Sequence, residues 1–73
     1  MTFTNHAIQR FKERITYESS DVVEFFMKSD IENSTLLYRL DDIEKRLCNG
    51  IVYVLDCATP SNIKVITLYL IKQ

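Results

Sequence analysis

The residue types and spacing that bear on chemistry gather near the start of the chain. The stretch NHAIQRFKER, residues 5–14, sets His6, Arg10 and Arg14 at intervals of four, with Glu13 beside them and Ile8 and Phe11 behind. One helix carries all three on one side. Cleavage of RNA by its own 2′-hydroxyl needs a base at the nucleophile, an acid at the leaving oxygen and cationic charge on the phosphorane. A histidine with two arginines is a fragment of that set. The same spacing also suits the solvated side of an amphipathic helix, where Glu13 neutralises one arginine and an exposed pair contributes only ~0.3 to 0.5 kcal/mol.

A second constellation is acidic. Residues 18–44 hold eight acids (Glu18, Asp21, Glu24, Asp30, Glu32, Asp41, Asp42 and Glu44) against two bases, Lys28 and Arg39, within a chain of net charge −1. Such a run is either a plain solvated surface or a patch that docks on a basic protein. Within it lie Phe25, Phe26 and Met27, and a helix cannot hide three consecutive side chains on one face. If Met27 is the one turned outward, Asp21, Glu24 and Met27 together form a partner-binding spot. The only dense basic cluster is Arg10, Lys12 and Arg14, and the lack of a basic excess argues against broad phosphate binding.

The elements that must position these residues follow from pattern. Seventy-three residues, 47% hydrophobic and 26% charged, with one glycine and one proline, suit a single small globular domain. Its first part, 1–30, reads as helical and its second, 31–73, as a β-meander. No apolar run nears the ~18 residues of a bilayer span, and the N-terminus lacks a signal peptide's basic and apolar regions, so a soluble, cytoplasmic protein without membrane contact is expected. Cys48 and Cys57 have neither CxxC spacing nor companion histidines. They are read as reduced packing residues, and neither a metal nor another cofactor is called for.

Thr4 is a plausible N-cap, with Phe3 and Ile8 as a hydrophobic staple, for a helix from Asn5 to about Arg14. Ile8, Phe11 and Ile15 form its apolar stripe. Asp21 with Glu24 resembles a capping box opening a second helix to about Ser29, whose apolar face is Val22, Phe25 and Phe26. TLLYRL favours a strand from Thr35 to Leu40, and Asp41-Asp42 turns the chain. Asn49-Gly50 between two apolar runs is a strong hairpin signal, because a type I′ turn needs positive φ at both central residues. Strands near 43–48 and 51–57 then pair with Leu47 opposite Val52 and Arg46 opposite Tyr53, which holds Cys57 away from Cys48. After a turn at ATPSN, IKVITLYLI reads as a central strand with Ile66, Leu68 and Leu70 toward the helices. The expected fold is α+β, ααββββ, with two helices on one face of a four-stranded antiparallel sheet.

The HxxxRxxxR pattern on a first helix, followed by VVEFFMKS on a second and then a small sheet, resembles the RelE-type and RegB-type ribonuclease toxins. The resemblance covers residues 3–29 by motif and the remainder by pattern. It implies His6 as general base or acid and Arg10 and Arg14 as phosphate ligands in a metal-independent endoribonuclease. RegB-type enzymes place a second functional histidine on the second helix, where this chain has Met27, and His6 is the only histidine present. A replacement acid would come from Glu13, Tyr53, Tyr69, Lys12 or Lys64.

Two functions are therefore expected. The first is a small phage-type, non-catalytic regulator that binds a host nucleic-acid machine such as bacterial RNA polymerase through the acidic patch. Its anchors would be drawn from Phe3, Met27 or Tyr38. The second is an endoribonuclease acting on mRNA with His6, Arg10 and Arg14. The missing histidine and the acidic balance favour the regulator.

Overall fold

A computed structural model describes residues 1–71. The class is α+β, with two helices and a five-stranded mixed sheet. Strand β1 (Thr2–Phe3) leads into helix α1 (Asn5–Arg14) and helix α2 (Ser20–Glu32). Strands β2 (Thr35–Leu40), β3 (Ile43–Cys48), β4 (Ile51–Asp56) and β5 (Lys64–Leu70) follow, and the sheet order is β1-β5-β4-β3-β2. The expected four strands are present and antiparallel to one another. The fifth is the two-residue β1, which pairs in parallel with β5 and makes β5 internal to the sheet.

Helix α1 starts because Thr4 is extended, with φ −69° and ψ 156°, and its Oγ1 accepts the Ala7 N–H at 3.1 Å, satisfying one free donor of the first turn. The same hydroxyl donates to the Ile66 carbonyl at 2.7 Å. One side chain therefore caps the helix and fastens it to β5. Lys12 and Arg14 in the last turn complement the helix dipole. The buried stripe is Ala7 and Phe11, while Ile8 is half-buried and Ile15, at the C-cap, is exposed.

Helix α2 departs from expectation in both boundaries and in phase. Ser19, not a capping box at Asp21 and Glu24, stands at the N-cap, and its side chain makes no capping bond. The helix continues past Ser29 to Glu32, where the Asn33 side chain donates to the Ser29 carbonyl at 2.8 Å. Val23, Met27 and Ile31 face the core, whereas Val22, Phe25 and Phe26 are exposed. The added turn supplies Ile31, which completes an apolar row at four-residue spacing. That row buries more than the shorter Val22–Phe26 row.

The β3–β4 hairpin has the anticipated register: Leu47 opposite Val52, Arg46 opposite Tyr53 and Cys48 opposite Ile51. Asn49 and Gly50 take φ of 54° and 78°, as a type I′ turn demands. Asp41, also at φ 54°, turns β2 into β3. Both cysteines are free thiols. On β5 the alternation fails at one place, because a register shift pairs Val54 with Thr67 but Leu55 with Val65, leaving Ile66 as the extra residue. Val65 and Leu68 thus reach the core, while Leu70 is exposed.

Ile51, Tyr53 and Leu55, alternating along one face of β4, join Ala7, Phe11, Val23, Met27 and Val65 in one core cluster. Both helices thus pack on that face. The other face has no helix, yet Val52 is only 2% exposed. Leu47 and Tyr69 flank it in register, and Lys45 lies over the Tyr69 ring at 5.6 Å. At the edge, β2 is exposed throughout. It is tied to β3 by Arg39, which holds the Glu44 carboxylate at 2.7 Å, while Arg46, on β3 itself, holds the same carboxylate at 3.1 Å and donates to the Ser34 hydroxyl, just before β2, at 2.7 Å.

Candidate functional site

His6 and Arg10 are brought together as their spacing dictates. With Gln9 and Glu13 they line a shallow depression of about 220 Å³ on the outer side of α1. His6 is exposed and Arg10 half-buried, and Gln9 donates to the Glu13 carboxylate at 3.1 Å. Arg14 sits one turn beyond, exposed, outside the depression. Among the described residues neither arginine joins an ion pair, so both guanidinium groups are available to an anion.

All four residues lining the depression belong to α1. Of the five groups named as replacement acids, only Glu13 shares it with His6. Tyr53 is wholly buried and bonded to Asp30 at 2.6 Å. Tyr69 lies on the helix-free face of the sheet, beneath Lys45. Lys12 donates to the Ser20 hydroxyl at 3.1 Å, and Lys64 lies in β5 opposite Asp56. Concerted acid and base catalysis needs two groups on opposite sides of one phosphate. Two successive turns of one helix present His6 and Glu13 from the same side.

The acidic constellation is arranged differently from the expected spot. Asp21 is exposed at the first turn of α2 and Glu24 is half-exposed. Met27 is 0% exposed, so it cannot serve as a partner anchor: it occupies the centre of the core row. Phe3 is likewise packed against the core, whereas Tyr38 on β2 is exposed. The outward residues of the FFM run are Phe25, 70% exposed, and Phe26, 45% exposed. Their rings meet edge to face with centroids 6.2 Å apart.

Phe26 also forms one wall of a groove of about 500 Å³ between α1, α2 and the β3–β4 hairpin. Its floor is Phe11 and Ile51, its other walls are Ile15 and Leu70, and Glu18 and Asp30 stand among its lining residues. Asp30, one turn beyond Phe26, accepts the Tyr53 hydroxyl through Oδ2. Burial, then that bond and the Asp30 charge, raise the Tyr53 hydroxyl far above its ordinary range. Burial and Asp30 together also raise the Cys48 thiol, and burial followed by Glu44 raises Cys57. The two thiols are therefore poor nucleophiles at neutral pH.

Residue-level reading missed Asp30 as a lining group, Phe26 as a groove wall and the Arg39–Glu44–Arg46 cluster. The i, i+4 spacing of Phe26 and Asp30 was the available signal, concealed by ending the helix at Ser29. Among the described residues, no group of three or more His, Cys, Asp or Glu side chains is placed to hold a metal ion, and no helix is long and apolar enough to cross a membrane. Comparison with known protein families, curated proteins and solved structures finds no match for this chain.

Proposed function

We propose that the protein is a small, phage-type, non-catalytic regulator that binds a host nucleic-acid machine, with bacterial RNA polymerase the first target to test. The observation that carries this reading is the exposed aromatic pair Phe25 and Phe26 on the acidic second helix. Aromatic side chains left in water beside a groove are the common anchors of protein interfaces. Carboxylates around them favour approach to the basic surfaces that nucleic-acid enzymes present, raising the association rate and making it salt-dependent.

The endoribonuclease reading keeps one observation in its favour. His6 and Arg10 share a depression, and among the described residues Arg10 and Arg14 carry no ion pair. Its weakness is the absence of any group facing His6 from a second element of the described structure.

A paired experiment separates the two. The purified chain and His6→Ala are titrated onto RNA polymerase core and holoenzyme in a transcription assay, and both are incubated with a mixed RNA pool whose new 3′ ends are sequenced. The regulator reading expects saturable polymerase binding and lost transcript with either protein, and no new ends. RNA cuts that vanish in His6→Ala, without polymerase binding, would replace it with the nuclease.

A further inference from the structure

The groove says more about its occupant than the exposed aromatic pair does alone. At about 500 Å³ it lies within the range of about 300 to 1,000 Å³ typical of ligand pockets. Its floor, Phe11 and Ile51, is at most 5% exposed, while the walls Ile15, Phe26 and Leu70 remain between 42% and 45% exposed. A dry floor with open walls receives a side chain lowered from above, rather than enclosing a free small molecule. Among the described residues, no Lys, Arg or His lines it, whereas Glu18 and Asp30 do. The Asp30 carboxylate accepts the Tyr53 hydroxyl through Oδ2, and the Cys48 thiol also interacts with it. Asn49, at the hairpin turn, supplies a further polar group.

We propose that this groove seats a leucine or phenylalanine side chain of a protein partner, with a lysine or arginine next to it in the partner's segment pairing with Glu18 and Asp30. The inference rests on the regulator reading and assigns it a site: the seat lies between the helices, not at Asp21 and Glu24. On α2, at about 100° per residue, Glu24 projects from the flank opposite to Phe26 and Asp30. An apolar anchor loses water on Phe11 and Ile51, and the cation meets a carboxylate already held in place by Tyr53. Preorganisation of that kind lowers the ordering cost of association.

The test uses the ¹⁵N-labelled full chain and two short amphipathic peptides with leucine at helical spacing, one filled with lysine and the other with glutamate. The expected result is saturable binding of the leucine–lysine peptide, with amide shifts concentrated at Ile15, Phe26, Asp30, Ile51 and Leu70. Binding of the glutamate peptide should be at least about tenfold weaker. Glu18→Lys should weaken the lysine peptide roughly threefold, and Phe26→Asp roughly tenfold or more. Leu40→Ala, on the exposed edge strand β2, should leave affinity unchanged. Circular dichroism verifies that each variant is folded.

Shifts that map to β2, to Asp21 and Glu24, or to no site at all would overturn the groove. Equal affinity for both peptides would overturn the charge requirement and, with it, the proposed occupant. Failure of the broader reading has a separate signature. A groove that binds peptide beside a blank polymerase titration removes the target and keeps the groove. Polymerase binding that survives both Glu18→Lys and Phe26→Asp removes the groove and keeps the regulator.

Discussion

Replacing Tyr53 by phenylalanine tests the bond that joins α2 to the sheet. The ring is fully buried and its hydroxyl donates to Asp30 at 2.6 Å. Phenylalanine keeps the ring and its packing, so the change removes one hydrogen bond to a carboxylate. Such bonds contribute about 1.5 to 3 kcal/mol, because the abandoned partner must otherwise be solvated. For a domain of this size ~1 kcal/mol corresponds to a Tm change of ~4 to 8 °C. A loss of about 2 kcal/mol therefore lowers Tm by roughly 8 to 16 °C.

The same bond carries a pH signature. Burial and Asp30 hold the folded hydroxyl's pKa far above the unfolded value near 10. Above pH ~10 the unfolded chain releases this proton and the folded chain keeps it, so the folded state binds more protons and stability falls as pH rises. The contribution is fully present below pH ~10 and declines above it by up to ~1.4 kcal/mol per pH unit. Tyr53→Phe lacks this loss. In urea titrations followed by circular dichroism, the gap between wild type and variant should hold steady at neutral pH and close in the alkaline range. A stability change below about 0.5 kcal/mol at pH 7, in the range of ordinary surface substitutions, or a gap that stays constant through pH 11, would refute the reasoning.

Other expectations follow from burial and capping. Met27→Ala should destabilise by about 2 to 5 kcal/mol through an unfilled cavity, whereas Phe25→Ala should change stability by no more than about 0.5 kcal/mol; chemical denaturation of both settles which residue the core uses. Thr4→Ala removes a helix cap and the link to the Ile66 carbonyl. It should cost about 1 to 2 kcal/mol, with Thr4→Ser recovering most of it. Cys48 and Cys57, both with raised pKa, should be alkylated by iodoacetamide at pH 8 more slowly in the folded chain than in urea, and mass spectrometry showing equal rates would contradict the burial described.

What could be read from the residues divides along the range of the interactions. The Asn49-Gly50 turn sets a register that needs no distant contact, so the β3–β4 pairing was legible down to Leu47 opposite Val52. The class and the four antiparallel strands were legible for the same reason. β1 was not: two residues carry no periodicity, and Thr2 and Phe3 are strand only because Lys64 and Val65 lie alongside them. In α2 two apolar rows overlap, and the choice between Phe26 and Met27 turned on Ile31, beyond the expected end of the helix. On α1 the face bearing His6 and Arg10 was legible, because i, i+4 spacing alone places both residues. What stands opposite that face belongs to tertiary structure, and there the chain supplied no sign.

The clasp between Thr4 and the Ile66 carbonyl spans 62 positions of sequence, and this sets an order of events during synthesis. Helix α1 leaves the ribosome before β5 does, and the surface that receives Ala7 and Phe11 is completed only when β5 emerges. Until then its apolar side has no sheet to lie on. The β3–β4 hairpin closes over a handful of residues and is free to form earlier, since short loops close in far less time than contacts across the whole chain. Pulse-labelled hydrogen exchange during refolding should therefore find Tyr53 and Leu55, whose amides face β3, protected before Ala7 and Phe11, making β5 the step that commits the molecule to its native state.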